Sequence, residues 1–117
     1  MVLVVGGAGQ GKRNYAVNVL RFTDEEIADA VLDERPVLIH LERLVQKWLQ
    51  EGKDPAQFLP KLLEKQAILC EEIGCGIVPA DAFQRRWREE TGRLCQLLAQ
   101  QAEHVVQMLC SIARVIK

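Results

Sequence analysis

The chain has 117 residues, 49% of them apolar, which is enough to bury one hydrophobic core but not two. Lys and Arg (15) nearly balance Asp and Glu (16), and the formal net charge of -1 provides no long-range attraction for nucleic acid or an anionic membrane. These values favour a single domain over residues 1–117 and exclude nucleic-acid and membrane binding as leading functions.

The first predicted element is a strand. Residues 1–5 form an unbroken apolar run that stops at Gly6, a pattern typical of a strand buried on both faces of a parallel sheet. This run is too short for the hydrophobic region of a signal peptide and has no basic segment before it, and no later run is long enough to cross a bilayer. We therefore expect a cytoplasmic protein.

A glycine-rich loop follows the strand, and residues 13–21 are predicted to form a helix after it. The spacing Gly6-x-x-x-x-Gly11-Lys12 matches the phosphate-binding loop, in which inward-facing backbone N–H groups and the lysine surround a phosphate. Arg13 stands where the pattern has a magnesium-binding Ser or Thr; it cannot ligate a hard cation but adds a donor for phosphate oxygens. A glycine-rich turn without a ligand is the alternative. The predicted nucleotide-binding residues are Gly6, Gly7, Ala8, Gly9, Gln10, Gly11, Lys12 and Arg13.

The middle of the chain is predicted to alternate helices with short strands. Thr23 and Glu26 form a capping-box pattern, which predicts a helix over residues 24–32 that ends before Pro36. The next elements are a strand at 37–39, a helix at 41–50, a helix that starts at Asp54-Pro55 and runs toward Leu63, and a strand at 67–70.

A long helix is predicted from Asp81 onward. Its apolar face is formed by Phe83, Trp87, Thr91, Leu94, Leu98 and Ala102, which we interpret as facing the core, with a partner surface as the alternative. Residues 105–110 and 114–116 are predicted to form one or two closing strands. The alternation of strands and helices predicts an α/β fold of the P-loop NTPase type, a three-layer sandwich with a mainly parallel sheet flanked by helices.

Few other side chains suggest chemistry. The four cysteines (Cys70, Cys75, Cys95 and Cys110) lack a Cys-x-x-Cys spacing and are expected to be reduced thiols packed among apolar neighbours. His40 and His104 are the two histidines, and each is interpreted as a structural or exposed residue. No catalytic residue and no metal ligand is assigned from these patterns.

Residues 71–99 resemble a known family. The matching residues are Glu71-Glu72-Ile73-Gly74-Cys75-Gly76-Ile77-Val78-Pro79, followed by Arg85, Trp87-Arg88-Glu89, Gly92-Arg93, Gln96 and Ala99. They resemble the Asn-Glu-Val-Gly-x-Gly-Ile-Val-Pro motif and the helix after it in adenosylcobinamide kinase/adenosylcobinamide-phosphate guanylyltransferases. The glycine loop is similar to that family's Gly-Gly-x-x-Ser-Gly-Lys-Ser sequence. The chain thus looks like a shortened and divergent member.

The resemblance implies particular substrates and partners. The family's enzymes phosphorylate adenosylcobinamide with a nucleoside triphosphate and then transfer GMP through a guanylylated histidine, and they are oligomers with sites near subunit interfaces. For this chain it implies ATP or GTP, a corrinoid substrate and a homo-oligomer. It also implies that the glycine loop holds triphosphate and that a second motif consists of Glu72, Gly74, Gly76 and Pro79.

The departures from the family concern its chemistry. Arg13 replaces the metal-binding hydroxyl, and His40 stands where the family has the Walker B aspartate. The family's middle segment, which carries the guanylylated histidine, is largely deleted and reduced to residues 21–36. We therefore expect nucleotide or phosphate binding with degenerate catalysis and little contribution from magnesium, unless Glu42, Glu71 or Glu72 recruits it. The alternatives are a minimal active cobinamide kinase, with His40 as a substitute guanylyl acceptor, and a non-enzymatic interaction module that retains the fold.

Overall fold

The structure is a computed structural model that describes residues 1–73 and 81–117. Across these residues, six strands form one sheet in the order β2-β3-β4-β1-β5-β6, parallel throughout except for the antiparallel pair β5–β6. The strands are β1 (Val2–Gly6), β2 (Ile27–Asp29), β3 (Val37–Ile39), β4 (Ala67–Glu71), β5 (His104–Leu109) and β6 (Ile112–Val115). The helices are α1 (Lys12–Asn18), α2 (Leu41–Gln50), α3 (Leu59–Leu63) and α4 (Ala82–Gln101), with 3-10 turns at Asp24–Glu26 and Pro55–Phe58.

Helices cover both faces of the sheet. The larger core lies between the sheet and α2, α3 and α4, and it includes Leu3 of β1. The smaller core lies on the face covered by α1, and it includes the neighbouring Val4. Successive residues of β1 are thus buried on opposite faces, which explains the unbroken apolar run. The prediction of an α/β three-layer sandwich with a mainly parallel sheet, of the P-loop NTPase type, is confirmed. In the described part of the chain, no helix combines the length and apolar character needed to span a membrane.

One predicted helix is wrong. The capping box at Thr23 and Glu26 is present, but it starts only the 3-10 turn Asp24–Glu26, and the chain then continues as strand β2. β2 pairs in parallel with β3, placing Ile27 beside Val37, and this pairing buries both Ile27 and Ala28. Burial against a neighbouring strand therefore overrides the local helical signal. Helix α1 also ends at Asn18, three residues before the predicted end.

The other predicted elements are confirmed with small shifts in their ends, except that the helix predicted from Asp54-Pro55 toward Leu63 is a 3-10 turn at Pro55–Phe58 followed by α3. The Asp54 side chain accepts a hydrogen bond from Ala56 N at 3.0 Å, and Asp81 accepts one from Phe83 N at 2.7 Å, so both residues cap their helices as expected. Thr91, Leu94 and Leu98 of the predicted face of α4 are buried, which confirms that this face packs on the core. The β3 residues are buried as well. The alternative interpretation, in which this face of α4 is a partner surface, is therefore wrong for Thr91, Leu94 and Leu98.

Most of the large apolar side chains that are exposed lie on or next to the hairpin formed by β5 and β6. Its turn consists of Cys110 and Ser111, both with positive φ (50° and 62°), the backbone that a tight two-residue hairpin turn requires. Four large apolar side chains at or near β6 are more than half exposed: Leu109, Ile112, Val115 and Ile116. In the described residues, β6 forms one edge of the sheet.

Candidate nucleotide site

A cavity of about 290 Å³ lies at the carboxyl ends of the parallel strands. In α/β sheets of this kind, ligands bind in the crevice beyond these strand ends, where the strand order reverses. Here the reversal occurs at β1, which has β4 on one side and β5 on the other. The cavity is lined by Gly9, Gln10, Gly11, Lys12, Arg13, Asn14, Asp29, Ile39, His40, Leu69 and Glu71.

Lys12 is held across the start of the glycine loop (residues 6–13). Its half-buried ammonium donates hydrogen bonds to Gly7 O at 2.7 Å and to Gly6 O at 3.1 Å. These contacts fix a cation beside the cavity at the N-terminus of α1, and they leave the third ammonium proton free for another acceptor. The predicted role of Lys12 as a phosphate ligand is consistent with this placement.

The glycine loop packs against the β5–β6 hairpin. Ser111 N donates to Gln10 O at 3.1 Å, and Cys110 N donates to the Gln10 side chain. Gly11 has φ +93°, and a Cβ added there would lie 2.9 Å from Ser111 Oγ, so this position requires glycine both for its backbone and for space. The shape of the loop therefore depends on the hairpin turn, nearly a full chain length away in sequence.

Arg13 is turned toward the surface. Its guanidinium lies 2.9 Å from Asp24 Oδ1, and both side chains are at least half exposed, so the pair contributes little to stability. Arg13 also lines the cavity, and its guanidinium can leave this weak pair for a phosphate oxygen. A hydroxyl that could bind magnesium is absent at this position.

A histidine–carboxylate pair also lines the cavity. His40 Nδ1 lies 2.6 Å from Asp29 Oδ1, and the imidazole is about two-thirds buried. His40 follows β3 and precedes α2, and its φ of 58° is unusual for a residue other than glycine. Asp29 ends β2, where the parallel register places it beside Ile39. Sequence reasoning missed Asp29 because its neighbourhood depends on β2, which was predicted to be helical.

The three glutamates considered as magnesium ligands do not together form a metal site. Glu71 lines this cavity and also a second one. Glu42 is 1% exposed, and its Oε1 accepts a hydrogen bond from Glu71 N at 2.8 Å, so it caps β4 from within the core. Glu72 lines the second cavity, on the other face of the sheet. Among residues 1–73 and 81–117, no group of three or more His, Cys, Asp or Glu side chains could hold a metal ion by itself.

The second cavity has a volume of about 360 Å³ and lies between β4 and α4. Its lining includes Cys70, Cys95 and Thr91, whose buried hydroxyl has no hydrogen-bond partner among the described residues. The hydrogen bond with Cys95, together with burial, raises the pKa of the Cys70 thiol well above its ordinary value. Cys70, Cys95 and Cys110 are free thiols, as expected, but Cys110 is exposed rather than packed among apolar neighbours.

The predicted site residues have different outcomes. Gly9, Gln10, Gly11, Lys12 and Arg13 line the cavity. Gly6 is the last residue of β1, and Gly7 and Ala8 connect it to the residues that line the cavity. In the predicted second motif, Gly74, Gly76 and Pro79 lie outside the described residues. His104 is the first residue of β5 and therefore lies at the amino ends of the parallel strands, away from the cavity at their carboxyl ends. Its side chain is exposed.

A family model described as cobinamide kinase / cobinamide phosphate guanyltransferase matches residues 27–116, about three-quarters of the chain. The chain belongs to this family. The match includes the strands β2 to β6 and begins after the glycine loop. A search of curated proteins found no match. Membership of the cobinamide kinase / cobinamide phosphate guanyltransferase family associates the chain with cobalamin biosynthesis and with kinase and transferase chemistry.

Magnesium fits this member poorly. A nucleotide-bound magnesium ion is usually held by one or two protein oxygen ligands together with phosphates and water. At the two positions where the resemblance places a hydroxyl and a carboxylate, this chain has a guanidinium and an imidazole. The Asp29 carboxylate contacts His40, and Glu71 is the remaining carboxylate that lines the cavity among the described residues.

Proposed function

We propose that this chain binds the phosphates of a nucleoside triphosphate, ATP or GTP, at residues 6–13, and that its kinase and transferase activity is degenerate. The observation that carries the proposal is the position of Lys12, which is fixed by two loop carbonyls on the wall of a cavity at the carboxyl edge of the sheet. A phosphate-binding loop works through this combination of a cation and inward-facing backbone donors. The second ligand that we propose is a corrinoid, the substrate that accepts the phosphoryl group in the family's kinase reaction.

The proposal of degenerate activity rests on the charges around the cavity. Phosphoryl transfer depends on magnesium and cationic groups that offset charge on the transferred group. With Arg13 and His40 at the two anchor positions, magnesium loses its usual ligands from the protein. Binding of the triphosphate needs the loop and Lys12 but not those ligands.

Isothermal titration tests the proposal directly. The purified protein is titrated with ATP and with GTP, in EDTA and in magnesium, alongside Lys12→Ala. Lys47→Ala is the matched control, because Lys47 is an exposed lysine on α2 that does not line the cavity. We expect the wild type and Lys47→Ala to bind with little dependence on magnesium, and Lys12→Ala to lose binding.

Each other result points to another function. Equal affinity in Lys12→Ala and the wild type would remove the site from the glycine loop. Binding that strengthens greatly with magnesium would favour a minimal active cobinamide kinase. Absence of binding by the wild type would favour an interaction module that retains only the fold.

We further propose that residues 1–117 act as one domain from which the family's middle segment is largely deleted. In this chain, only the 3-10 turn Asp24–Glu26 and the short strand β2 lie between α1 and β3. The strands β1, β3, β4 and β5 each contribute to both cores, and β1 pairs with strands from the second half of the chain.

We also propose a homo-oligomer, in which β6 of one copy pairs antiparallel with β6 of a second copy. A twofold axis between two antiparallel copies of β6 places one residue opposite its own copy, and an axis at Ala113 would also place Ile112 opposite the second copy's Arg114. This register leaves no two cations opposite each other. Shifting the axis onto Arg114 would oppose two guanidinium groups, so the charges favour the axis at Ala113 over the axis at Arg114.

A further inference from the structure

We propose that His40 Nε2 is a ligand for a borderline transition-metal ion, such as Co²⁺, that arrives bound to the phosphates of the nucleotide. This inference rests on the proposed nucleotide binding at the glycine loop and adds the class of metal ion that the site accepts. The sequence suggested no metal ligand at His40. The contact between Asp29 and His40 changes that interpretation.

The first argument is the orientation of the imidazole. Asp29 Oδ1 lies 2.6 Å from His40 Nδ1, and when Nδ1 carries the proton and donates it to this carboxylate, the lone pair is on Nε2. Metal-ligating histidines almost always donate their other ring N–H to a carboxylate or carbonyl in this way, which fixes the tautomer and strengthens the ligand. No hydrogen bond to His40 Nε2 is found among residues 1–73 and 81–117.

The second argument is the rigidity of His40. Its backbone has φ 58° and ψ 47° at the junction between β3 and α2, and its carbonyl accepts hydrogen bonds from Arg43 N and Leu44 N in the first turn of α2. Strained residues of this kind persist where the surrounding structure holds them, and they are concentrated at functional sites. The imidazole is therefore presented to the cavity by a fixed piece of backbone.

The third argument is the composition of the cavity wall. His40 and Glu71 line the same cavity as Lys12 and Arg13. Since the described side chains contain no complete metal centre, the remaining ligands have to come from phosphate oxygens and water, as they do for nucleotide-bound metals in general. Imidazole suits Co²⁺, Ni²⁺ and Zn²⁺, whereas magnesium prefers oxygen ligands. Replacing a carboxylate by an imidazole at this strand end thus changes which metal–nucleotide complex is favoured.

Titration of the whole chain with ATP in EDTA, Mg²⁺ or Co²⁺ tests the inference. We expect Co²⁺ to tighten nucleotide binding by about 10-fold or more relative to Mg²⁺, comparable to the change in metal affinity that follows loss of the outer-shell partner of a metal-binding histidine. His40→Asn should remove this gain, because asparagine tolerates the positive φ but lacks the ring nitrogen. His104→Asn, which alters the exposed histidine on β5, is the matched control and should keep the gain.

Two further variants sharpen the test. Asp29→Asn should reduce the Co²⁺ gain, expressed for each protein relative to its own affinity in EDTA, because Asp29 orients His40. His40→Asp restores a carboxylate at a residue type that also tolerates positive φ, and it should shift the preference toward Mg²⁺. With Co²⁺ bound, a visible absorption spectrum that changes in His40→Asn but not in His104→Asn would report the ligand directly.

The outcomes separate this inference from the proposed function. Wild-type binding that is equal in Co²⁺ and Mg²⁺, or a Co²⁺ gain that survives in His40→Asn, would overturn the inference and leave nucleotide binding intact. Absence of nucleotide binding under all three conditions would overturn both.

Discussion

Glu42 Oε1 accepts a hydrogen bond from the backbone N–H of Glu71 at 2.8 Å, which joins the first turn of α2 to the end of β4. Glu42 is 1% exposed, and its Oε2 has no hydrogen-bond partner among the described residues, although Arg43 Nε lies 3.9 Å away. Burying a carboxylate in this way costs desolvation free energy. Removing it would leave the Glu71 N–H without an acceptor, which also destabilises the fold.

We predict that Glu42→Ala lowers the free energy of unfolding by about 1–3 kcal/mol, because the Glu71 N–H loses its acceptor. Glu42→Gln keeps an amide oxygen for this N–H and removes the buried charge, so its stability should stay close to that of the wild type. Urea denaturation measures both, with Glu89→Ala on the exposed face of α4 as the control. If Glu42→Ala were no less stable than Glu89→Ala, Glu42 would not act as a structural acceptor.

Arg13→Ser should increase the dependence of nucleotide binding on magnesium, because it restores the hydroxyl expected after the lysine of the loop. The gain should be partial, since His40 still occupies the second anchor position. Titration with ATP in EDTA and in magnesium compares the variant with the wild type. Asp24→Asn serves as the control, because it breaks the Arg13–Asp24 pair without adding a hydroxyl. The same magnesium effect in all three proteins would show that Arg13 does not replace a metal anchor.

Gly11→Ala should destabilise the protein more than Gly9→Ala. Both glycines have positive φ (93° and 70°), so each alanine incurs a backbone cost of about 1–2 kcal/mol. Only the Cβ at position 11 would meet Ser111 Oγ, at 2.9 Å, whereas the Cβ at position 9 would enter open space. Thermal and urea denaturation of the two variants isolate the contact between the loop and the hairpin. Equal losses of stability would mean that Ser111 moves away from the added Cβ without lowering the free energy of unfolding.

Acid should weaken the connection between β2 and β3. Hydrogen bonds from Arg35 hold the pKa of Asp33 at about 2, below its ordinary value of 3.8. A depressed carboxyl pKa contributes stability above the unfolded-state pKa, and this contribution is lost as the pH falls from about 4 toward 2. Asp33→Asn should therefore lose less stability over that interval than the wild type, measured by urea denaturation at a series of pH values. Glu34→Gln, at the exposed neighbouring carboxylate, should behave like the wild type.

Ile112→Lys should convert the proposed oligomer into a monomer. The exposed Ile112 side chain would face the second copy's Arg114, and a lysine there would place two cations opposite each other. Light scattering coupled to size exclusion, at micromolar concentration, reports the mass of each variant. Val19→Lys changes another exposed apolar residue, at the end of α1, and should leave the assembly intact. A monomeric wild type would rule out the proposed pairing.

The sequence predicted those parts of the fold whose signals are local. The apolar run of β1, the glycine loop and the caps at Asp54 and Asp81 all lie within a few residues of the elements that they specify. β2 has three residues and is stable because β3 lies beside it. The capping box at Thr23 and Glu26, just before β2, therefore predicted a helix where the chain forms a strand. Asp29 was missed for the same reason. Its meeting with His40 exists only once two parallel strands are aligned in register.

The position of β1 at the centre of the sheet determines the order in which the fold can be completed. Val2 pairs with Ala67 on one side and with His104 on the other, so β1 has no neighbour in the sheet until much later sequence has left the ribosome. The glycine loop completes its contacts later than β1, since Gln10 accepts hydrogen bonds from Cys110 and Ser111 of the hairpin turn. During synthesis, residues 1–5 therefore remain unpaired until β4 has emerged, and such non-local pairing slows folding. A chaperone that binds short apolar segments would have its longest opportunity at residues 1–5.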